Sequence, residues 1–209
     1  MNLTNKTALV AGGTGGIGMA SALLMSKMGA TIVLLARNEK KLIDTLSKLD
    51  SSNGQNHSYL VADFSVEDSL ESVCEALKNK TIDILLNNTG GPAGGPITEA
   101  DPIAFMNTFN QHLIANHKLT QAVLPNMKNQ PYGRIINIIS TSVKAPLNGL
   151  GVSNTIRGAV ANWAKTMANE LGQFNITVNN ILPGATNTGR LNEIFEAKIF
   201  AGVLKSEKE

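Results

Sequence analysis

The sequence predicts one α/β domain: a parallel, doubly wound sheet with helices on both faces, three layers in all. Three observations predict it. Apolar runs of four to seven residues, rich in β-branched side chains and without alternation, recur at residues 8–11, 31–36, 59–62, 82–86, 135–139 and 176–182, the pattern of strands buried on both faces. Stretches with helical spacing fill the gaps, and strand, helix and strand in succession make a right-handed crossover that leaves the strands parallel. The chain has 209 residues, 43% of them hydrophobic and 16% charged, enough apolar area for one well-buried core and too little length for two ordinary domains.

The elements follow in order. The strand at 8–11 runs into a helix over 16–28, which Gly29 stops as a C′ glycine. The strand at 31–36 leads to a helix over 38–49 whose Leu42, Leu46 and Leu49 form one stripe. The strand at 59–62 precedes a helix opened by Ser65, with Asp68 three residues on as in a capping box. After the strand at 82–86, Pro102 suits the first turn of a helix that runs to 123 and stops ahead of Pro125. The strand at 135–139 precedes a helix over 153–171, where Ile156, Val160, Trp163, Met167 and Leu171 share a face and Gly172 ends the run. The strand at 176–182 closes the series, and no internal repeat, low-complexity tract or interdomain linker interrupts it.

Composition excludes several classes of function. Eighteen Lys plus Arg against sixteen Asp plus Glu leave a net charge of +2, neither the footprint of a nucleic-acid binder nor an acidic tail. No uncharged apolar run reaches the roughly 18 to 20 residues that cross a bilayer, so no membrane partner is expected. Cys74 is the single cysteine, and the start of the chain lacks a basic stretch followed by an apolar one, so a reducing cytoplasm is the expected location. No metal site is expected, and His57 and His117 read as surface groups.

The turn after the first strand reads Ala11-Gly12-Gly13-Thr14-Gly15-Gly16-Ile17-Gly18. A pyrophosphate binds such a turn when the backbone comes close and the free N–H groups of the helix start face it, which asks for residues without Cβ. Taken alone, the loop also reads as a tight turn packed on the sheet. Its place after the first strand and before a helix, at the head of an α/β alternation, is the context a dinucleotide site requires.

The spacing of Gly12, Gly16 and Gly18 resembles the short-chain dehydrogenase/reductase family, and other segments join it in the right order. Asn87-Asn88-Thr89-Gly90, after the fourth strand, resembles that family's N-N-A-G signature with Thr for Ala. Asp63-Phe64 resembles the site of the aspartate that meets the adenine amino group, and Pro183-Gly184-Ala185-Thr186-Asn187-Thr188 resembles the P-G-x-x-x-T whose threonine touches the nicotinamide carboxamide. The resemblance covers about residues 3–190. It implies a Rossmann fold with strand order 3-2-1-4-5-6. It also implies a dinucleotide site formed by Gly12, Thr14, Gly15, Gly16, Ile17, Gly18, Asp63, Phe64, Asn88, Gly90, Pro183, Gly184, Thr186 and Thr188. Where an acidic residue would accept hydrogen bonds from the 2′-hydroxyl of NAD the chain has Ala36, with Arg37 next, and a guanidinium binds a 2′-phosphate that a carboxylate would repel. NADP is therefore expected over NAD, unless Arg37 points to solvent.

The catalytic positions depart from the family. The resemblance implies a tetrad of Asn, Ser, Tyr and Lys, in which Tyr is the acid/base, Lys holds the ribose and lowers the Tyr pKa, and Ser holds the carbonyl. The segment Gly133-Arg134-Ile135-Ile136-Asn137-Ile138-Ile139-Ser140 resembles the serine strand and places that serine at Ser140. The tyrosine position, about a dozen residues on, is Ser153; the lysine position one helical turn later is Arg157; the asparagine position, counted back from Leu124-Pro125, is His112. Tyr59 and Tyr132 are the only tyrosines, and both fall at the N-terminal edge of the sheet, away from the ligand side. A serine hydroxyl is a poor proton donor at neutral pH and a guanidinium stays charged, so the Tyr/Lys mechanism is not available in its usual form. Arg157 would hold the ribose and place positive charge where an alkoxide develops. Ser153, Lys144 or His112, whose unperturbed pKa suits acid/base work near neutrality, would help the proton. For His112 the other reading is a helix histidine satisfied by a backbone carbonyl or a subunit contact.

The resemblance thus implies hydride transfer between NADP(H) and a small-molecule carbonyl or alcohol, a 3-oxoacyl thioester being one possibility. With Tyr and Lys missing, a catalytically weak dinucleotide-binding sensor or assembly protein is the alternative. Relatives pair the two long helices of neighbouring subunits, so a homodimer is expected, or a homotetramer through the edge of a seventh strand. Residues 185–209 resemble the start of a mobile substrate-covering segment. The family continues beyond it with a further helix and a seventh strand, whereas this sequence ends at Glu209, so either the protein is short or part of its natural chain is missing.

Overall fold

Stretches rich in apolar residues pair side by side as β1 (Thr7–Ala11), β2 (Thr31–Ala36), β3 (Ser58–Val61), β4 (Ile84–Asn87), β5 (Gly133–Ile138) and β6 (Ile176–Ile181); the four central strands are buried on both faces, whereas the edge strands β3 and β6, expected to be so too, leave part of their surface exposed because each has a neighbour on one side alone. In the computed structural model, which describes residues 1–189, 191, 192 and 196, they form one sheet in the order β3-β2-β1-β4-β5-β6 with every pair parallel. This is the order expected from the sequence. The crossovers are α1 (Gly16–Lys27), α2 (Glu39–Leu46), α3 (Glu67–Leu77), α4 (Pro102–Phe109), α5 (Ala115–Lys128) and α6 (Gly151–Leu171). A π turn over Asn110–Ile114 joins α4 to α5.

Alternate residues of β1 to β5 serve opposite cores, whereas β6 serves one. Leu9, Leu35, Leu85 and Ile135 face Leu77, Leu119, Val123, Ala164 and Met167 of α3, α5 and α6. Val10, Ile32, Leu34 and Leu86 face Ala22 of α1 and Leu42 of α2. On the first of these faces an amide ladder crosses three strands. Asn87, Asn137 and Asn180 are in register. Asn87 Nδ2 donates to Asn137 Oδ1 at 2.9 Å, Asn137 Nδ2 donates to Asn180 Oδ1 at 3.0 Å, and Asn180 Nδ2 reaches the Ala161 carbonyl of α6 at 3.5 Å.

Several expected boundaries move, each for a physical reason. The helix expected to stop before Pro125 continues to Lys128 with the proline inside it. Proline removes the hydrogen bond to the Gln121 carbonyl, but both residues are exposed, so water replaces it. Buried Met127 and the bonds from Asn126 Nδ2 to the carbonyls of Lys78 and Lys80, 2.7 and 3.2 Å, hold the last turn down. Ser65 does not cap α3. Val66 is the N-cap residue, without a side-chain bond, and Ser65 turns back to donate to Asp63 Oδ1 at 2.6 Å.

His57 and His117 are half-buried rather than surface groups. His57 Nδ1 accepts from the Ile32 N–H at 3.0 Å and its Nε2 donates to the Asp50 carbonyl at 2.9 Å, which sets one neutral tautomer. His117 meets the Trp163 ring edge-on at 6.2 Å between centroids. Tyr59 donates to Glu39 Oε1 at 3.0 Å, and Tyr132 lies under Lys6 and Arg134 at 4.3 and 4.1 Å from its ring centre.

Candidate active site

The cradle expected after β1 is built by close backbone approach. Gly12 adopts φ +61°, and a Cβ there would stand 2.5 Å from the Asn88 carbonyl oxygen and 2.6 Å from Asn88 Nδ2. At Gly18, the third residue of α1, a Cβ would come within 2.2 Å of the Gly12 carbonyl oxygen. Asn88 Nδ2 donates to that same carbonyl at 3.2 Å and ties the loop to the end of β4. Gly15 is the N-cap of α1, no side chain caps it, and no acidic residue occupies the first turn. The first N–H groups therefore face outward with the positive end of the helix dipole behind them, past Thr14, Gly16 and Ile17. Opposite lies the loop after β6. The Thr188 methyl sits 3.1 Å from where a Gly16 Cβ would be, and the hydroxyls of Thr186 and Thr188 donate to the carbonyls of Gly184 and Thr186, both at 3.2 Å. Between them opens a cavity of about 320 Å³ lined by Gly16, Ile17, Ala20, Ser21, Leu24 and Thr186 to Thr188. An uncapped helix start and two positions closed to any Cβ fit the pyrophosphate of a dinucleotide.

Toward the other edge, the ends of β2 and β3 bring Arg37 and Asp63 together. The two hydrogen bonds from Ser65, through its hydroxyl and its N–H, hold the Asp63 carboxyl below the usual carboxylate range, and the positive charge of Arg37 adds to them. Arg37 itself is exposed. Phe64 is half-buried and packs against the core.

The catalytic positions come from β5 and the helices around it. Ser140, just past β5, opens a short 3-10 turn, and its Oγ accepts from the Ser142 N–H at 3.1 Å, which leaves the hydroxyl proton to donate. Ser153 is half-buried in the first turn of α6, and Lys144 is exposed on the loop between. Arg157, one turn beyond Ser153, is buried. Its Nη1 donates to the Ile138 carbonyl at 2.9 Å and its Nη2 to the Thr89 carbonyl at 3.4 Å. His112 lies in the π turn, buried, with its Nδ1 hydrogen-bonded to Thr89 Oγ1. Burial, followed by the nearby charge of Arg157, lowers its pKa from 6.5 to about 3. Near neutrality this favours the neutral imidazole, which lacks the proton that a general acid gives. Arg157, expected at the ribose, has two of its donors directed to strand-end carbonyls. Thr89 is the residue that sequence reasoning left out. Its departure from N-N-A-G was the available signal, but only the fold shows that it meets both His112 and Arg157.

Residues 190, 193–195 and 197–209, most of the expected substrate-covering segment, lie outside the described residues.

Comparison with known proteins places this geometry among others. The sequence pattern of a family described as short chain dehydrogenase matches residues 6–199. A 3-oxoacyl-acyl-carrier-protein reductase of Pseudomonas aeruginosa is 30% identical over 205 residues, spanning 95% of this chain and 81% of that protein. A monensin polyketide synthase putative ketoacyl reductase of Streptomyces virginiae is 31% identical over 189 residues, spanning 88% and 72%. Among solved structures, the L-sorbose reductase of Gluconobacter frateurii, complexed with NADPH and L-sorbose, superposes with a TM-score of 0.87 at 28% identity over 97% of this chain and 78% of that one. An actinorhodin polyketide ketoreductase with NADPH has the same TM-score, 0.87, at 28% identity over 97% and 79%.

Proposed function

The chain belongs to the short-chain dehydrogenase/reductase family, and from that premise we propose that it transfers hydride between NADP(H) and a carbonyl or alcohol on a small molecule. The observation that carries the reading is the uncapped start of α1, closed to Cβ atoms at Gly12 and Gly18 and facing the Thr186 to Thr188 wall. Arg37 beside Asp63 supports NADP over NAD, because a 2′-phosphate would meet a free guanidinium there. The 3-oxoacyl and ketoacyl reductases among the relatives support a 3-oxoacyl thioester as one substrate class.

The bound dinucleotide supplies the hydride. Ser140 donates its hydroxyl proton as a hydrogen bond to the substrate oxygen, and Arg157 lends fixed positive charge to the ribose end and to the oxygen as it becomes an alkoxide. A neutral His112 has no imidazolium proton to give, so the proton that completes the alcohol comes from Lys144 or from water ordered by Ser140 and Ser153. No helix among the described residues is long and apolar enough to cross a membrane, and a cytoplasmic enzyme is the reading we adopt. Its assembly is a homodimer: Ile103, Met106 and Phe109 expose 52, 62 and 37% of their surface along one face of α4, beside a shallow groove that includes Ile156 of α6.

The test is a panel of ketones and 3-oxoacyl thioesters with NADPH and with NADH, followed at the absorbance of reduced nicotinamide. Turnover with NADPH exceeding that with NADH is expected. The second reading, a dinucleotide-binding protein with little catalysis, draws on Arg157 being held by two main-chain carbonyls and on serine at 153. Tight NADPH binding without oxidation by any of the panel would select it.

A further inference from the structure

Three positions at which the chain departs from its family's pattern, Thr89, His112 and Arg157, come from three separate elements and meet. Thr89 follows β4, His112 sits in the π turn and Arg157 is on α6. The Thr89 hydroxyl is hydrogen-bonded to His112 Nδ1, and the Thr89 carbonyl accepts from Arg157 Nη2 at 3.4 Å. His112 is 1% exposed and Arg157 8%, so water competes little for these bonds. With alanine at 89, a buried His112 ring nitrogen would lose its partner, which costs more than the bond itself is worth. With lysine at 157, a single ammonium would replace the planar fork that now reaches carbonyls at the ends of both β4 and β5. Each departure is accommodated by the others.

Resting on the dinucleotide-binding reading above, we propose that Thr89 is a positioning residue: its hydroxyl fixes the ring orientation of His112, and with Arg157 on its carbonyl it holds the turn at residues 88–90 in place for the cofactor. The turn matters because Asn88 is the residue whose amide holds the Gly12 carbonyl, at 3.2 Å, so a shift at Thr89 reaches the phosphate cradle through one peptide and one hydrogen bond.

The experiment uses the full chain, labelled with ¹⁵N, and reads the ring nitrogens of its three histidines alongside NADPH affinity by calorimetry. In the wild type, His112 should stay neutral between about pH 5 and about pH 8, the range in which an ordinary histidine titrates. Thr89→Val keeps the shape and removes the hydroxyl. Its His112 Nδ1 resonance should move away from the wild-type position as the hydrogen bond is lost, and NADPH affinity should fall about 2- to 10-fold, the worth of one neutral hydrogen bond. Thr89→Ser should restore both, and His57, whose tautomer is set by Ile32 and Asp50, should not change in either variant. Thr89→Val and Arg157→Lys should act on each other's effect on affinity, and strictly additive effects overturn the three-residue unit. Unchanged His112 nitrogens in Thr89→Val overturn the hold of Thr89 on the ring, and unchanged affinity overturns the positioning of the turn. If the wild type binds neither NADPH nor NADH, the cofactor reading fails and takes the positioning role with it, while the ring nitrogens still decide whether Thr89 governs His112.

Discussion

Arg37 is exposed and nearby Asp63 already takes two hydrogen bonds from Ser65, so in the proposed site the guanidinium can turn to a 2′-phosphate. Arg37→Ala should therefore shrink the preference for NADPH over NADH by roughly 1 to 3 kcal/mol, the range for a hydrogen bond to a charged group. Calorimetric titration with both cofactors checks this, and an unchanged affinity ratio would remove Arg37 from the site. His112 makes a prediction about pH. Its pKa in the fold, about 3, lies below its ordinary 6.5, so the unfolded chain takes up a proton that the native state refuses. The stabilisation is complete above the ordinary value and is lost as pH falls from 6.5 toward about 3, at up to about 1.4 kcal/mol per pH unit. Urea midpoints measured across that window should fall less steeply in His112→Asn than in the wild type; equal slopes would mean that His112 is already protonated in the fold. Counting along the chain put His112, Ser153 and Arg157 forward as candidates, and in the fold His112 and Arg157 both meet Thr89. The charge state of His112 was not legible, because it depends on burial and on Arg157, which is 45 positions away in sequence.

At the scale of elements, the amide ladder is where sheet and chemistry share a cost. Asn137 is fully buried between Asn87 and Asn180, so Asn137→Leu strands an amide on each neighbouring strand. The loss should be roughly 1 to 3 kcal/mol per stranded partner, read from urea unfolding; a loss within the error of the measurement would show that both neighbours find other partners. The four central strands were legible because both faces are buried, which demands apolar runs, whereas the edge strands β3 and β6 were legible from β-branched and aromatic residues despite their partial exposure; the ends of β4 and β5 escaped by one to two residues, where Asn87, Gly133 and Arg134 are polar or small. Local rules failed where distant contacts override them. Ser65 followed by Asp68 satisfies a capping pattern, yet Asp63 offers its hydroxyl a charged acceptor two residues back. Pro125 reads as a stop, yet Met127 and Asn126 fasten the helix beyond it. The π turn left no sequence trace that periodicity could detect, since residues flanking it keep a helical pattern on either side.

For the whole molecule, parallel strands place the loops that follow their ends, where the proposed cofactor site lies, on one edge, while α4 exposes Ile103, Met106 and Phe109. Light scattering should report a dimer at micromolar concentration. Met106→Glu together with Phe109→Glu should give monomers that still bind NADPH, and a wild-type monomer would refute this surface as an interface. The π turn at Asn110–Ile114 ties this flank to the pocket. One extra residue in a helix turns everything beyond it by about 100°. Upstream of the turn, Ile103, Met106 and Phe109 look out; within and beyond it, His112, Ala115 and Leu119 look in. The turn thus lies between an outward apolar stripe and a buried ring on a single rod. Deleting one residue there would rotate the outward stripe of α4 against the inward face of α5, so that stripe and the ring that meets Thr89 could not both keep their places.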